Sequence, residues 1–381
     1  MRQTVLRAGL ATLAALGLAT HTVAAQSAAR SVELGAPDAA FPEPFSAVLG
    51  VRELSNGQVL ISDRIEMTLV RLDFASGTYE QLGRQGGGPG EFQMPGPLYA
   101  LPGDSTLMSD IMNRRFNVIL PDGRLSEETI PLRHPAGYPI LPRGVDQAGR
   151  IYFDLAGMML PGLEESAVRG IAPVLRWDRS ADVVDTLGYV HFPPMEPAGP
   201  GAAVVNIGGG AYQPQDDWAV TPDGTVALVR YADYSIQWIT SDGAATEGPP
   251  ADFKPVRITT EDKEAWADAM TSRGVTIHVE NGRRRVGRPP RPNIDNVDWP
   301  DYMPPTVHRT ARIAPDGRLW VERSAPSDAE MRTYDVFDAR GNLVERVSLP
   351  SDRRVVAFGD GVVYVIRSDE DDLQWLERYR L

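Results

Sequence analysis

Acidic and basic residues recur in pairs, each pair following one strand-like run in similar segments of the chain. The pairs are Asp63 and Arg64, Asp110 and Arg114, Arg230 and Asp233, Glu322 and Arg323, and Arg367 and Asp369. Charged side chains gathered on one side of a scaffold can bind a polar ligand. They can also hydrogen-bond between neighbouring segments and satisfy the backbone of loops. We take all ten as candidate ligand-binding residues and keep the structural interpretation beside this one.

Three histidines offer a different chemistry, that of a divalent metal site. His134, His191 and His308 each lie where one group of strands leads into the next. Three imidazoles converging on a cation would suit a metal-assisted lyase or a lactonase-type hydrolase. No two of them share a short, ligand-like spacing. We therefore expect no metal and no other cofactor, and we name no catalytic residue.

A basic cluster lies within residues 248–310, which interrupt the regular pattern of strands. Its core is Arg283, Arg284 and Arg285, preceded by the turn pair Asn281-Gly282. The pattern predicts a short helix from Thr260 and then a hairpin that carries the arginines. The arginines either pair with the aspartates that follow them or contact an anion as part of a lid.

Composition excludes several classes of partner and mechanism. The net charge of −13 argues against nucleic acid and anionic membrane as general partners. The chain has no cysteine, so no disulfide framework can form. Only Lys254 and Lys263 are lysines, which makes lysine-based covalent chemistry improbable. No Gly-x-Ser-x-Gly motif indicates a serine hydrolase.

The elements that must position these residues repeat along the chain. Turn pairs that favour a positive φ separate short alternating strands. Their glycines are Gly57, Gly103, Gly149, Gly224, Gly317 and Gly361, with spacings of 46, 46, 75, 93 and 44 residues. The short spacings match the blade of a β-propeller, roughly 40–50 residues of four strands. The sequence therefore predicts an all-β fold, a six-bladed propeller in one domain from residue 26 to 381.

The sixth set of strands lacks a fourth member. Residues 31–35 end in Leu34-Gly35, as do the fourth strands that end at Leu82-Gly83 and Leu187-Gly188. We therefore predict that this N-terminal strand completes the last blade and closes the ring, which removes an exposed sheet edge.

The linker before the second blade resembles a known family. Residues 82–92 read Leu-Gly-Arg-Gln-Gly-Gly-Gly-Pro-Gly-Glu-Phe, similar to the linker of NHL-repeat propellers. Asp110, Asn113, Arg114 and Arg115 match the Asp, Asn and Arg of that repeat. Residues 300–305 and 316–321 resemble exported bacterial six-bladed propellers. The resemblance implies the fold, but such propellers include lyases, lactonases and plain binding modules.

Strand order places the irregular segments on one side of the ring. Turns between strands one and two, and between three and four, lie on one face, which we call the turn face. Blade-to-blade linkers and the connections between strands two and three lie on the other, the loop face. The long segments all belong to the loop face: 83–95, 156–170, 189–216, 248–310 and 323–331. Since long loops on a rigid scaffold usually carry binding sites, we expect the ligand there.

The N-terminus has the pattern of an export signal. Arg2 and Arg7 precede an uncharged apolar run from Ala8 to Thr20, and small residues lead to Ala25. The run is too short to span a bilayer, which needs roughly 20 apolar residues. We predict a signal peptide over residues 1–25 and a periplasmic or secreted propeller. It binds a small molecule, or an extracytoplasmic protein or polymer, without catalysis; the metal-assisted enzyme is the alternative.

If this is correct, the exported chain starts at Gln26, because Val23 and Ala25 are small enough for signal peptidase. Intact-mass spectrometry of protein from the extracytoplasmic fraction measures this start directly. Replacing Ala25 with arginine is the control and should block cleavage. A mass that retains residues 1–25 in the exported protein would refute the signal peptide.

Overall fold

Positive-φ glycines build the tight turns of the repeat. Gly57, Gly224 and Gly317 have φ values of 81°, 88° and 82°, which a residue with a Cβ atom rarely adopts. The strands between such turns are short and mostly apolar, and the second strands, such as Val59–Asp63, are buried along their whole length. The computed structural model describes residues 29–134, 137–160, 162–196, 204–205, 211–273, 276–280, 283–287 and 289–381.

Within these residues the strands form six four-stranded antiparallel blades arranged in a ring, a β-propeller, as the sequence predicts. From the axis outward, blades one to three comprise Val48–Glu53, Val59–Asp63, Thr68–Asp73 and Thr78–Gln81; Pro95–Ala100, Thr106–Asp110, Arg115–Ile119 and Leu125–Pro131; and Pro142–Val145, Ile151–Asp154, Ile171–Asp178 and Val183–His191. Blades four to six comprise Asp217–Val220, Val226–Arg230, Ser235–Ile239 and Ala245–Glu247; Arg312–Ile313, Leu319–Glu322, Met331–Phe337 and Leu343–Pro350; and Arg353–Gly359, Val362–Ser368, Gln374–Arg380 and Ala39–Ala40.

The remaining elements lie in the connections. The α-helices are Glu164–Val168 and Thr260–Arg273, and the 3-10 helices are Pro102–Asp104 and Ile294–Asn296. Three small strand pairs are Arg84–Gln85 with Glu91–Phe92, Met158–Met159 with Val204–Val205, and Thr276–Glu280 with Arg283–Gly287. The last pair is the predicted hairpin, whose turn at Asn281-Gly282 lies outside the described residues. Neither described α-helix is long and apolar enough to cross a lipid bilayer.

The N-terminal segment closes the ring, but not with the strand that the sequence predicts. Residues 31–35 do not complete blade six; instead Arg30–Glu33 pairs in parallel with Leu343–Pro350 as an added outer strand of blade five. The closing strand is Ala39–Ala40, antiparallel to Gln374–Arg380. The physical reason is Phe41, which is 1% exposed. Its burial in the core of blades one and six fixes the position of the two residues before it.

Apolar side chains pack between neighbouring blades and hold the ring together. Leu60 and Leu69 of blade one pack against Leu98 and Met108 of blade two, and all four are buried. The innermost strands of successive blades also contact one another around the axis. The starts of these innermost strands therefore converge at the loop-face end of one central channel.

Two truncations test the closing strand. A chain that begins at Pro37 loses only the parallel outer strand, so its free energy of unfolding should fall by no more than about 1 kcal/mol. A chain that begins at Pro42 also loses Ala39–Phe41, which empties a core site and exposes a sheet edge. We expect a loss of about 3–5 kcal/mol, typical of removing a buried phenylalanine.

Urea unfolding followed by circular dichroism measures both losses against the chain that begins at Gln26. Equal stabilities of the two truncated chains would show that Ala39–Phe41 does not close the ring.

Candidate functional site

Two of the candidate carboxylates accept hydrogen bonds from backbone amides. Asp63 is buried and accepts hydrogen bonds from the amides of Ser46 at 2.7 Å and Ala47 at 2.9 Å, both in the linker into its own blade. Asp110 occupies the same position in blade two and accepts from the amide of Gln93 at 3.0 Å. Buried amides need such acceptors, so these aspartates fix the linkers.

The candidate arginines of blades four to six are paired with buried carboxylates. The pairs are Arg230 with Asp216 at 2.7 Å, Arg323 with Asp335 at 2.6 Å, and Arg367 with Glu377 at 3.2 Å. The candidate acids beside them are also engaged. Asp233 accepts from Ser235, Glu322 from Arg332 and the Tyr334 hydroxyl, and Asp369 from the Trp375 indole. The recurring pairs thus hold strands and turns together.

Arg64 and Arg114 differ from the other candidates. Neither side chain hydrogen-bonds to a described residue. Burial lowers the pKa of Arg64, although the charge of Asp63 opposes the shift. Arg114 is exposed in the tight connection after strand two, with a φ of 54°. The side chains of Arg283, Arg284 and Arg285 lie outside the described part of the structure.

The three histidines do not come together. His134 stacks on Tyr138, with ring centroids 5.3 Å apart, and meets the edge of Trp177. The Nδ1 atom of His191 lies 3.0 Å from a carboxylate oxygen of Asp216. His308 lies near the axis of the ring. Among the described residues, no group of three or more histidine, cysteine or acidic side chains could hold a metal ion.

A charged cluster that the sequence analysis missed lies at the loop-face end of the channel. The buried carboxylate of Asp217, in the first strand of blade four, bonds to the Arg143 guanidinium from blade three. Its second oxygen accepts from the amides of Thr310 and Ala311, both at 2.9 Å, in the linker into blade five. Blades three, four and five are therefore joined at the axis through one aspartate.

A second acid lies beside this pair and is likewise engaged. Asp154, at the end of strand two in blade three, accepts a hydrogen bond from the Trp218 indole at 2.9 Å. Its carboxylate is 4.0 Å from Nη1 of Arg143. That nitrogen is buried and has no hydrogen-bond partner among the described residues. Both carboxylates therefore accept hydrogen bonds within the protein.

Two cationic or titratable side chains complete the cluster. Nδ1 of His308 is buried without a hydrogen-bond partner in the described structure. Arg309 is exposed to solvent in the channel, yet the surrounding protein and the nearby Arg143 lower its pKa. No described carboxylate forms an ion pair with Arg309. The charges of the two arginines and two aspartates balance, and Arg309 is the exposed member of the cluster.

Burial and charge also shift the pKa values of His308 and Asp217. Burial lowers the pKa of His308 to about 4; Asp217 opposes this shift, whereas Arg143 and Arg309 add to it. Burial alone would raise the pKa of the Asp217 carboxyl, but Arg143 and His308 outweigh it and hold that pKa well below its ordinary value of 3.8. At neutral pH the imidazole is neutral and the carboxylate is charged.

The described part of the 248–310 insertion packs against blades four and five, and Ala251 lies in their shared core. The buried Asp262, near the start of helix Thr260–Arg273, accepts from the amide of Ser327 at 2.7 Å and so anchors the helix to blade five. Trp266 and Trp299 pack edge to face, with ring centroids 5.3 Å apart. Arg291 pairs with Asp268 at 2.6 Å, an acid of the helix.

The fold is shared with proteins of known structure. A member of the DUF4221 family from Bacteroides vulgatus superimposes with a TM-score of 0.50 and 11% identity, over 91% of this chain and 94% of that one. Aldose sugar dehydrogenase from Streptomyces coelicolor, bound to PQQ, gives a TM-score of 0.45 and 14% identity, over 90% of this chain and 97% of that one. Virginiamycin B lyase from Staphylococcus aureus gives a TM-score of 0.40 and 12% identity, over 88% of this chain and 96% of that one.

The similarity to the DUF4221 protein shows the fold and not the activity, because proteins of unrelated function share the propeller fold. The chain is a six-bladed β-propeller. No protein-family profile matches it, and no curated protein sequence does. The resemblance to NHL repeats therefore stays a hypothesis about its family.

The lowered pKa of His308 predicts how the stability of the protein changes with pH. Between its ordinary pKa of 6.5 and its lowered value of about 4, the unfolded chain binds a proton that the folded chain does not. Stability should therefore fall as the pH drops through this window. The lowered pKa of Asp217 keeps that carboxylate charged throughout it.

Replacing His308 with glutamine removes this titration. The loss of unfolding free energy between pH 7.5 and pH 5.0 should shrink by on the order of 1 kcal/mol relative to the unsubstituted protein. Urea unfolding at the two pH values measures the difference, with His278→Gln as a matched control. An identical pH dependence with and without His308 would contradict the lowered pKa.

Proposed function

We propose that this protein is an exported binding propeller that holds a small anionic molecule at the loop-face end of its central channel and catalyses no reaction there. The observation that carries the proposal is the guanidinium of Arg309. Arg309 is exposed and lies near Arg143, Asp154 and Asp217, and no described carboxylate is within ion-pair distance of it. Guanidinium groups bind carboxylates and phosphates through two parallel hydrogen bonds.

The hydrogen-bonding groups of the cluster, whose charges sum to zero, favour an anion over a cation. Asp154 and Asp217 are the acids of the cluster, and both are already hydrogen-bonded within the protein. The cluster still has unsatisfied donors: Arg309, the buried Nη1 of Arg143 and, when protonated, His308. Unpaired buried donors are costly, so a ligand that accepts hydrogen bonds would be stabilised here.

The backbone at Arg309 supports a functional role. Its φ of 64° lies in the left-handed region, which costs a residue with a Cβ atom on the order of 1 kcal/mol. Such strain is retained where it positions a side chain, and here it belongs to the residue that carries the uncompensated charge. The loop face expected from strand order is also the face at which this cluster opens.

One observation favours the enzyme alternative, a metal-assisted lyase or lactonase-type hydrolase. The buried carboxylate of Asp216 holds the half-exposed His191 at 3.0 Å through Nδ1, which leaves Nε2 available as a base. Arg230 bonds to the same carboxylate, and so do the backbone amides of His191 and Tyr231. Because the same aspartate bonds to several structural donors, we assign the His191–Asp216 pair to holding blades three and four together.

The Arg309→Gln variant tests the anion site. Titration calorimetry with citrate, inorganic phosphate and sulfate at low ionic strength should give binding to the unsubstituted protein. The variant should bind at least about tenfold more weakly, since a charge-assisted hydrogen bond contributes about 1.5–3 kcal/mol. Added salt should weaken binding.

The matched control is Arg340→Gln, the same change of charge at an exposed turn of blade five on the turn face. Its affinity should equal that of the unsubstituted protein. The proposal is wrong if none of the three anions binds, or if the Arg309 and Arg340 variants lose affinity equally.

A further inference from the structure

The central channel also opens on the turn face. A cavity of about 640 Å³ lies at this opening. The ends of the first strands of blades two to six form its walls, together with the turns that follow them. Its size lies within the range of about 300–1,000 Å³ that is typical of small-molecule sites. Nothing in the charged cluster of the loop face requires this space.

Most of the wall is apolar. The lining side chains include Leu101, Val145, Val220, Ile313, Ala357 and Phe358. These residues come from five different blades, so the cavity is fixed by the rigid ring rather than by a loop. An apolar ligand surface would gain about 25 cal/mol for each Å² removed from water here.

Charged side chains lie among the apolar ones, and only one lacks a partner of opposite charge. Asp146 is bonded to Arg150 at 2.6 Å. Arg143 is paired with Asp217. Arg312 bonds only to the carbonyl oxygens of residues 310 and 356, at 3.0 and 3.2 Å, through Nη1 and Nε.

The positive charge of Arg312 is therefore uncompensated among the described residues, and no described residue accepts a hydrogen bond from its Nη2. A carbonyl oxygen satisfies a donor but does not neutralise a cation. An apolar cavity with one unneutralised guanidinium complements a molecule that has an apolar body and one anionic end.

We propose that the turn-face cavity is a second binding site, for a small molecule with an apolar body and a terminal carboxylate that Arg312 binds. Arg143 is the residue that this cavity shares with the charged cluster, whereas Asp217, Arg309 and His308 do not line it. The two sites open on opposite faces, so this proposal does not depend on the anion site of the loop face.

Titration calorimetry with three probes separates the contribution of the apolar body from that of the carboxylate. Octanoate has both an apolar body and a carboxylate, octanol has only the body, and acetate has only the charge. We expect octanoate to bind at one molecule per chain, and the other two to bind at least about tenfold more weakly.

Variants at the two parts of the site then test the assignment. Arg312→Gln should weaken octanoate binding at least about tenfold, whereas Arg312→Lys, which keeps the charge, should retain most of it. Ala357→Phe fills the cavity and should also abolish binding. Far-ultraviolet circular dichroism and the melting temperature establish that each variant is folded.

Citrate distinguishes this site from the loop-face site, because filling the cavity at Ala357 should leave citrate affinity within about twofold. The proposal would be overturned if octanoate did not bind. It would also be overturned if the Arg312→Gln and Ala357→Phe variants bound octanoate as strongly as the unsubstituted protein does. Binding of octanol as tight as that of octanoate would also overturn it, since Arg312 would then contribute nothing.

Discussion

The carboxylate of Asp217 joins three blades at the axis of the propeller, and the charges of the channel follow from it. It is completely buried and pairs with Arg143 of blade three while accepting two amides from the linker into blade five. Removing one partner of a buried ion pair typically costs about 3–5 kcal/mol, because the other charge is left unpaired. Asp217 neutralises Arg143, whereas Arg309, in the linker into blade five, and Arg312, in the wall of the cavity, form no ion pair with a described carboxylate.

Elsewhere the protein neutralises its charges as part of the repeat. Asp63 and Asp110 accept backbone amides at the same position of successive blades, and Asp335 pairs with Arg323 and Arg346 at the end of blade five. This use of carboxylates explains how an acidic chain without disulfides holds long linkers in place. Arg309 and Arg312 differ from the paired arginines of blades four to six, Arg230, Arg323 and Arg367.

The amino-acid sequence was sufficient to predict the repeat of strands but not the candidate binding sites. Turns such as Asp223-Gly224 are decided by local chemistry, since a positive φ there favours glycine. The closing strand was misassigned because residues 31–35 look like a strand, whereas Ala39–Ala40 has two residues and no alternation. Its pairing is decided by the burial of Phe41, a tertiary contact that local patterns do not contain.

The channel cluster had no local signal either. Arg143 and His308 lie 165 residues apart in the chain, and they meet only because the first strands converge on one axis. The search for recurring charges passed over Arg143, and His308 was considered only as a candidate metal ligand. Adjacent charged or titratable residues in a linker, such as Asp216-Asp217 and His308-Arg309, are the signal that would have directed attention to the axis.

Arg309 and Arg312 are arginines of the channel that form no ion pair with a described carboxylate. A crystal of the protein soaked in bromide and measured at the bromine absorption edge tests it most directly. We expect anomalous peaks at the guanidinium groups of Arg309 and Arg312, and none at Arg143, Arg230 or Arg323. Peaks confined to surface arginines, or a carboxylate found paired with Arg309 and Arg312, would contradict it.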